Sequence, residues 1–181
     1  MARRSDVTRQ AILDAARERF ASDGYERATI RAIAADADID PAMVMRYYGT
    51  KEKLFATAVE LDLRLPDLAA VPRAEVGATL ARHMINRWEG DETLMALVRA
   101  GVTNDSAAER LRATVAAQLG PVVLAIAPDR AVVRAGLVST QVLGFAVCRY
   151  ILKFPPVAAL DTEEVVGWLG PTLQRYLVES G

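Results

Sequence analysis

Cysteine and histidine are almost missing from this sequence: Cys148 and His83 stand alone among 181 residues. One cysteine cannot pair within the chain, so a disulfide scaffold is excluded. A structural zinc site needs several Cys or His ligands, so no metal is expected. A catalytic triad would have to use His83 as its only imidazole. No paired-carboxylate spacing and no phosphate-cradling glycine loop stand out, so the chain reads poorly as an enzyme, and no cofactor is expected. Lysine is scarce as well, with only Lys51, Lys53 and Lys153 among 22 basic residues. No apolar run approaches the roughly 18 residues of a membrane span. Even Ala135–Cys148 is interrupted by Ser139, Thr140 and Gln141. The opening Met-Ala-Arg-Arg-Ser-Asp leads into charged residues, so no signal peptide is visible. The expectation is a soluble, cytoplasmic protein with no membrane partner.

What is present favours helix. The chain is 52% hydrophobic, enough to build a core, and holds 32 alanines. Strict alternation is rare, whereas 3.6-residue periodicity recurs, so the fold class is all-α. Ile12, Ala16 and Phe20 form one face of a first helix, which Asp23-Gly24 stops. Thr29 caps a second, and Asp40-Pro41 opens a third with an N-cap acid and a proline at the first helical position. Thr50 precedes a fourth. Pro66 and Pro72 mark a boundary between a small N-terminal domain (1–65) and a larger helical one (66–181). In the latter, helices are expected near 74–89, 91–101, 106–126, 130–154 and 162–178. Ser106-x-x-Glu109 and Asp161-x-x-Glu164 have the form of capping boxes. Pro121 should kink or split one helix and Pro171 should bend the last.

Residues 29–48 read TIRAIAADADIDPAMVMRYY: a short helix, a tight turn and a second short helix. Ile33, Ala37, Ile39, Val44 and Tyr47 would pack, and Ala34 is small where the helices cross. This is the helix-turn-helix pattern, whose second helix enters the major groove of DNA. The same residues also fit an ordinary helical hairpin.

The flanks add more. The run DGYERATIRAIAADADIDPAMVMRYYGTKEKLF resembles the DNA-binding domain of the TetR family of transcriptional regulators. The likeness lies in Phe20-x-x-x-Gly24-Tyr25, Thr29, the Ile33-Ala34 pair, the aromatic pair Tyr47-Tyr48, then Lys51 and Leu54. It covers roughly residues 8–58. Less sharply, GLVSTQVLGFAVCRYILKFPPVAALDTEEVVGWLGPTLQRYL is similar to a common TetR C-terminal domain. Two positions depart from the family pattern. Asp38 stands at a turn position usually held by Gly, and Asp tolerates the left-handed conformation better than most residues. Met45 stands where many members have a phosphate-binding Tyr, so that contact is missing or falls to a neighbour such as Arg46.

The resemblance implies a homodimeric repressor, released from a palindromic double-stranded DNA operator by a small apolar or amphipathic ligand. The same fold answering to a protein partner, or to nothing, is the alternative; a helical enzyme is the remoter one. Thr29, at a helix N-terminus, should hold a phosphate. Tyr47 and Lys51 should contact phosphates and set register. Pro41, Ala42, Met43, Met45 and Arg46 lie at or near the groove, where Arg46 reads either as a phosphate contact or as a guanine contact. Arg3 and Arg4 read as a minor-groove arm or as a basic tail. Residues 1–64 hold 11 basic and 11 acidic residues, so any electrostatic footprint must be local. A dimer seam is expected from the small-residue stripe Gly136, Thr140, Gly144 and Cys148, facing Val165, Leu169, Leu173 and Tyr176. Packing within one subunit is the other reading. For the ligand pocket the candidates are Met84, Trp88, Leu97, Asn104, Gln141 and Phe145, with His83 and Asn86 as polar options.

Overall fold

A computed structural model describes residues 4–58, 62–90, 92–103 and 105–179. Among these the regular structure is helical, with no strand. The helices are α1 (Arg4–Arg27), α2 (Ile30–Asp36), α3 (Pro41–Tyr48), α4 (Lys51–Ala58), α5 (Val76–Gly90), α6 (Glu92–Thr103), α7 (Asp105–Thr114), α8 (Gly120–Ile126), α9 (Ala131–Ala146), α10 (Pro155–Ala158) and α11 (Thr162–Val178). Two compact units result: Met1–Leu61 with Glu92–Leu111, and Asp62–Asp91 with Arg112–Gly181. The grouping differs from a split in chain order, because α6 joins the first unit through its packing on α1 and α4.

The first unit is held by an apolar centre. Ile12, Ile33, Ala34, Val44, Leu54 and Phe55 are fully buried. Each large aliphatic or aromatic side chain of this kind is worth about 1.5–3 kcal/mol when removed from water. The Phe20 and Tyr25 rings meet Phe55 edge-on at 4.9 and 4.8 Å. At the end of α1 the backbone breaks at Gly24 (φ 75°), a left-handed value that costs glycine little.

In the second unit the main packing is α5 against α11. The two backbones approach closely where Gly77 faces Gly170: a Cβ on Gly77 would run into the Gly170 carbonyl oxygen. Gln174 strengthens the crossing. Its Oε1 accepts from the Gly77 N–H (2.7 Å) and its Nε2 donates to the Arg73 carbonyl (2.6 Å). The capping box at the start of α11 is formed, with Asp161 accepting from the Glu164 N–H and Glu164 accepting from the Asp161 N–H. Arg82 pairs with Glu163 across the same helices.

Pro121 and Pro171 both sit in helix, with different outcomes. The turn before Pro121 widens into a π-helical segment, Val115–Leu119, which absorbs the missing N–H and the ring without ending the helical path. Pro171 lies inside α11, which runs on to Val178. A second π-helical segment, Val147–Ile151, extends α9 until Lys153 (φ 53°) and Pro155 close it. One sequence expectation is corrected here. Ala131–Ile151, 21 residues whose most apolar 18-residue stretch has a mean hydropathy of 1.6, is long and apolar enough to cross a membrane. The helix continues through Ser139, Thr140 and Gln141 because the first two return their hydroxyls to carbonyls one turn back. Only 28% of its most apolar stretch is buried within this chain.

Candidate nucleic-acid interface

Thr29 starts the site. In extended conformation (φ −121°, ψ 149°) it caps α2, its Oγ1 accepting from the Ala32 N–H at 3.1 Å. That bond uses a lone pair and leaves the hydroxyl proton to donate outward. The turn that follows is closed by backbone bonds from Ala37 to Ile33, Asp38 to Ala35 and Ile39 to Ala34. Asp38 takes the left-handed conformation the turn demands, at φ 54°. Asp40 then caps α3 by accepting from the Ala42 N–H (2.7 Å), and Pro41 occupies its first turn.

The eight residues of α3 divide cleanly into two sides. Val44 is fully buried, and Met43, Tyr47 and Tyr48 are half-buried beside it. Pro41, Ala42, Met45 and Arg46 are exposed on the opposite side. Of the residues expected at the groove, Met43 thus lies with the packing side of α3. Tyr48 anchors the helix by donating from its hydroxyl to the Arg9 carbonyl at 3.0 Å. The Arg9 guanidinium lies over the Tyr47 ring, 5.5 Å from its centre. Nothing in the sequence signals this pairing, because Arg9 and Tyr47 lie far apart in the chain and meet only in the folded head.

Lys51 begins α4. Its ammonium donates to the Glu26 carbonyl (3.2 Å) and sits 4.5 Å from the centre of the Tyr25 ring. The Tyr25 hydroxyl donates to Glu52 at 2.9 Å. Burial and then this carboxylate push the Tyr25 phenol well above its ordinary range. Glu52 is held below the usual carboxylate range, first by a backbone N–H and then by the Tyr25 hydroxyl. The junction of α1 and α4 is therefore fixed by charge-assisted bonds at the edge of the exposed face.

Electrostatics explain how a head with balanced charge leaves particular cations unpaired and exposed. Asp36 accepts two bonds from Arg19 (2.8 and 2.6 Å), which also reaches Asp23 at 3.2 Å. Asp14 pairs with Arg17 and Glu26 with Arg99, while Asp40 faces the α3 amides. Arg31, Arg46 and Lys53 are exposed and have no partner among the described residues. The acids just named are engaged locally, whereas Glu18 and Asp38 show no ion pair among the described residues, and Arg31, Arg46 and Lys53 are left for an outside anion.

The remaining predicted residues lie elsewhere. Met84 and Trp88 are buried on α5, while Gln141 and Phe145 are half-buried on α9. The Gln141 amide donates to the Tyr176 hydroxyl (3.4 Å), and the Arg149 guanidinium lies 6.0 Å from the Phe145 ring centre. His83 donates from Nε2 to the Leu63 carbonyl (2.9 Å), and Asn86 is exposed. Leu97 is buried on α6 in the first unit. Asn104 and Arg3 fall outside the described residues.

The expected seam needs correction on one of its sides. Val165, Leu169 and Leu173 are 1%, 9% and 0% exposed, turned into this chain's own core. The face of α11 that stays open carries Gly167 and Trp168, the latter 78% exposed. On α9, Gly136, Thr140 and Gly144 are exposed, and a Cβ at either glycine would meet nothing within 4 Å. Cys148 and Tyr176 are half-buried.

Known proteins share this arrangement. Residues 12–58 match the family described as bacterial regulatory proteins, tetR family, and residues 74–177 match the tetracyclin repressor-like C-terminal domain. The HTH-type transcriptional repressor SCO4008 of Streptomyces coelicolor is 39% identical over 67 residues, a stretch that spans only 35% of either chain. The crystal structure of the TetR-family regulator SCO0857 from Streptomyces coelicolor covers 94% of both chains at 32% identity, with a TM-score of 0.53. The multidrug binding protein EbrR, solved in complex with proflavin, shares the fold at 18% identity and a TM-score of 0.61, over 93% of this chain and 99% of its own. With an N-terminal helix-turn-helix and a C-terminal helical region each matching, this chain belongs to the TetR family of DNA-binding transcriptional regulators.

Proposed function

We propose that the protein is a homodimeric repressor that holds a two-fold symmetric operator and leaves it when a small molecule binds the helical body. One observation carries the DNA-reading part: Pro41, Ala42, Met45 and Arg46 stand exposed on α3, above the fully buried Val44. The Arg46 fork suits guanine O6 and N7 or a phosphate, and the other three offer only apolar contacts, for example to thymine methyls. Thr29, Tyr47 and Lys51 flank this face and set its register through phosphates. Such a regulator works in the cytoplasm, beside its DNA.

Dimerisation is supported by the exposed side of α9. Val132 (87% exposed), Leu137, Gly136, Thr140 and Gly144 form an apolar strip with small side chains, on which another helix can lie closely. A short α3 reads few base pairs, and a two-fold partner doubles the site. The ligand reading rests on Met84, Trp88, Gln141 and Phe145, which combine apolar bulk with an amide. EbrR shows that a protein of this fold takes up an aromatic molecule. Release requires the ligand to bind one arrangement of the two heads better than the other.

The test is a titration of genomic fragments, including the gene's own upstream region, at two salt concentrations. Specific, salt-sensitive binding is expected from the wild type. Loss of that binding in a Tyr47→Phe/Lys51→Ala variant is expected as well. A wild type that prefers no fragment, and a variant that behaves identically, would sink the reading.

A further inference from the structure

Where α9 begins and α11 ends, the surface of the second unit folds into a depression of about 230 Å³. Three arginines line it: Arg130 just before α9, Arg134 on its first turns, and Arg175 near the end of α11. Val133, Leu137 and Tyr176 supply an apolar wall.

The frame is built to hold its shape. Arg134 is buried (8% exposed) and its fork donates to the Asp129 carbonyl (2.9 Å), the Asp129 carboxylate (2.6 Å) and the Tyr176 carbonyl (2.6 Å). The loop ahead of α9 is thereby tied to the last turns of α11. Arg130 adopts a left-handed conformation (φ 51°), unusual for a long side chain, and gives α9 no side-chain cap.

Charge decides the ligand class. Asp129 neutralises Arg134, whereas Arg130 and Arg175 have no ion pair among the described residues. Glu179, which also lines the depression, is likewise unpaired. The Asp129 charge also acts on Arg130, so three guanidinium groups stand against the two carboxylates Asp129 and Glu179 and leave the depression cationic, beside the uncapped amides at the start of α9. A cation would be repelled there, and a neutral molecule would gain only weaker hydrogen bonds from the arginines.

We propose that this depression is a binding site for a small organic anion, its acidic group held by Arg130 and Arg175 and its apolar body laid against Val133, Leu137 and Tyr176. The site is independent of the pocket read at Met84 and Trp88. It shares Leu137 with the exposed strip of α9 read above as a dimer face, so a second copy filling it is the competing occupant.

Fluorescence titration of the full chain with 8-anilinonaphthalene-1-sulfonate, an anion with an apolar body, tests this against the neutral dye Nile red. Wild type should bind the sulfonate, and an Arg130→Asn/Arg175→Gln variant should bind it about tenfold or more weakly. Nile red binding and the circular dichroism spectrum should be unchanged, and Arg175→Lys should retain sulfonate binding. Equal sulfonate affinity in wild type and double variant, or no binding by wild type at millimolar dye, would overturn the site. A double variant that sediments as a monomer while keeping its sulfonate affinity would assign the depression to the second copy instead.

Discussion

Arg46 is where sequence and function meet most directly. It projects from α3 with no partner in the described chain, on a helix whose opposite side is packed. Arg46→Ala should weaken specific operator binding by about 1–3 kcal/mol if the fork reads a guanine, and relax preference at one base. If it holds a phosphate, affinity should fall evenly across sequences and the salt slope should drop by about 1. Titrations at several salt concentrations separate the two, and an unchanged affinity and slope would remove Arg46 from the interface. Asp36 gives a second residue-level expectation. Its bonds from Arg19 hold its pKa below the ordinary 3.8. The pair's contribution is therefore complete above that value and is lost as pH falls through it towards the lower, folded value. The thermal midpoint should decline in that acid window less steeply for Asp36→Asn than for wild type. Parallel profiles would show that the pair does not stabilise the head.

At the level of elements, local chemistry was readable wherever a single residue type has one job. Asp40-Pro41, Thr29 and the Asp161/Glu164 box each cap the helix they announce, and Asp38 sits in the left-handed turn expected of it. The two sides of α11 were not readable in this way. Val165, Leu169 and Leu173 make an apolar stripe that could cover any helix, and periodicity does not say whose. Gly77 and Gly170 hold the answer, since glycines on two helices allow their backbones to meet. Neither carries a pattern by itself, so the stripe Val165, Leu169 and Leu173 read as a dimer face when it is buried within its own chain. Gly77→Ala should accordingly cost about 1–3 kcal/mol through overpacking. Gly144→Ala, which meets open space within this chain and gains helix propensity, should not lower the stability of the single chain. Equal midpoints for the two variants would contradict the close crossing.

For the whole molecule, α9 is the part that one chain leaves unfinished. With its π-helical extension it is long and apolar enough for a membrane; under the function proposed above, its cover is a second subunit. Gly136→Glu or Gly144→Glu should leave the monomer folded and shift sedimentation towards the monomer. Operator affinity should fall with it, because the two heads would no longer be linked. A variant that stayed dimeric would move the seam elsewhere. The helical class and the position of the reading head were legible from sequence, since periodicity and capping are local. The α1–α3 contact of Arg9 with Tyr47 and the depression at Arg130 were not, because each joins residues far apart in the chain.

The pairing of Asp36 and Asp23 with Arg19 bears on time as well as affinity. Residues 1–64 carry no net charge, so at distances beyond about 10 Å, the Debye length at moderate salt, the head projects little field towards DNA. Approach to the operator should then be unsteered, with an association rate that responds weakly to salt. Once docked, exposed cations such as Arg31, Arg46 and Lys53 act at contact range, and added salt should chiefly shorten the residence time.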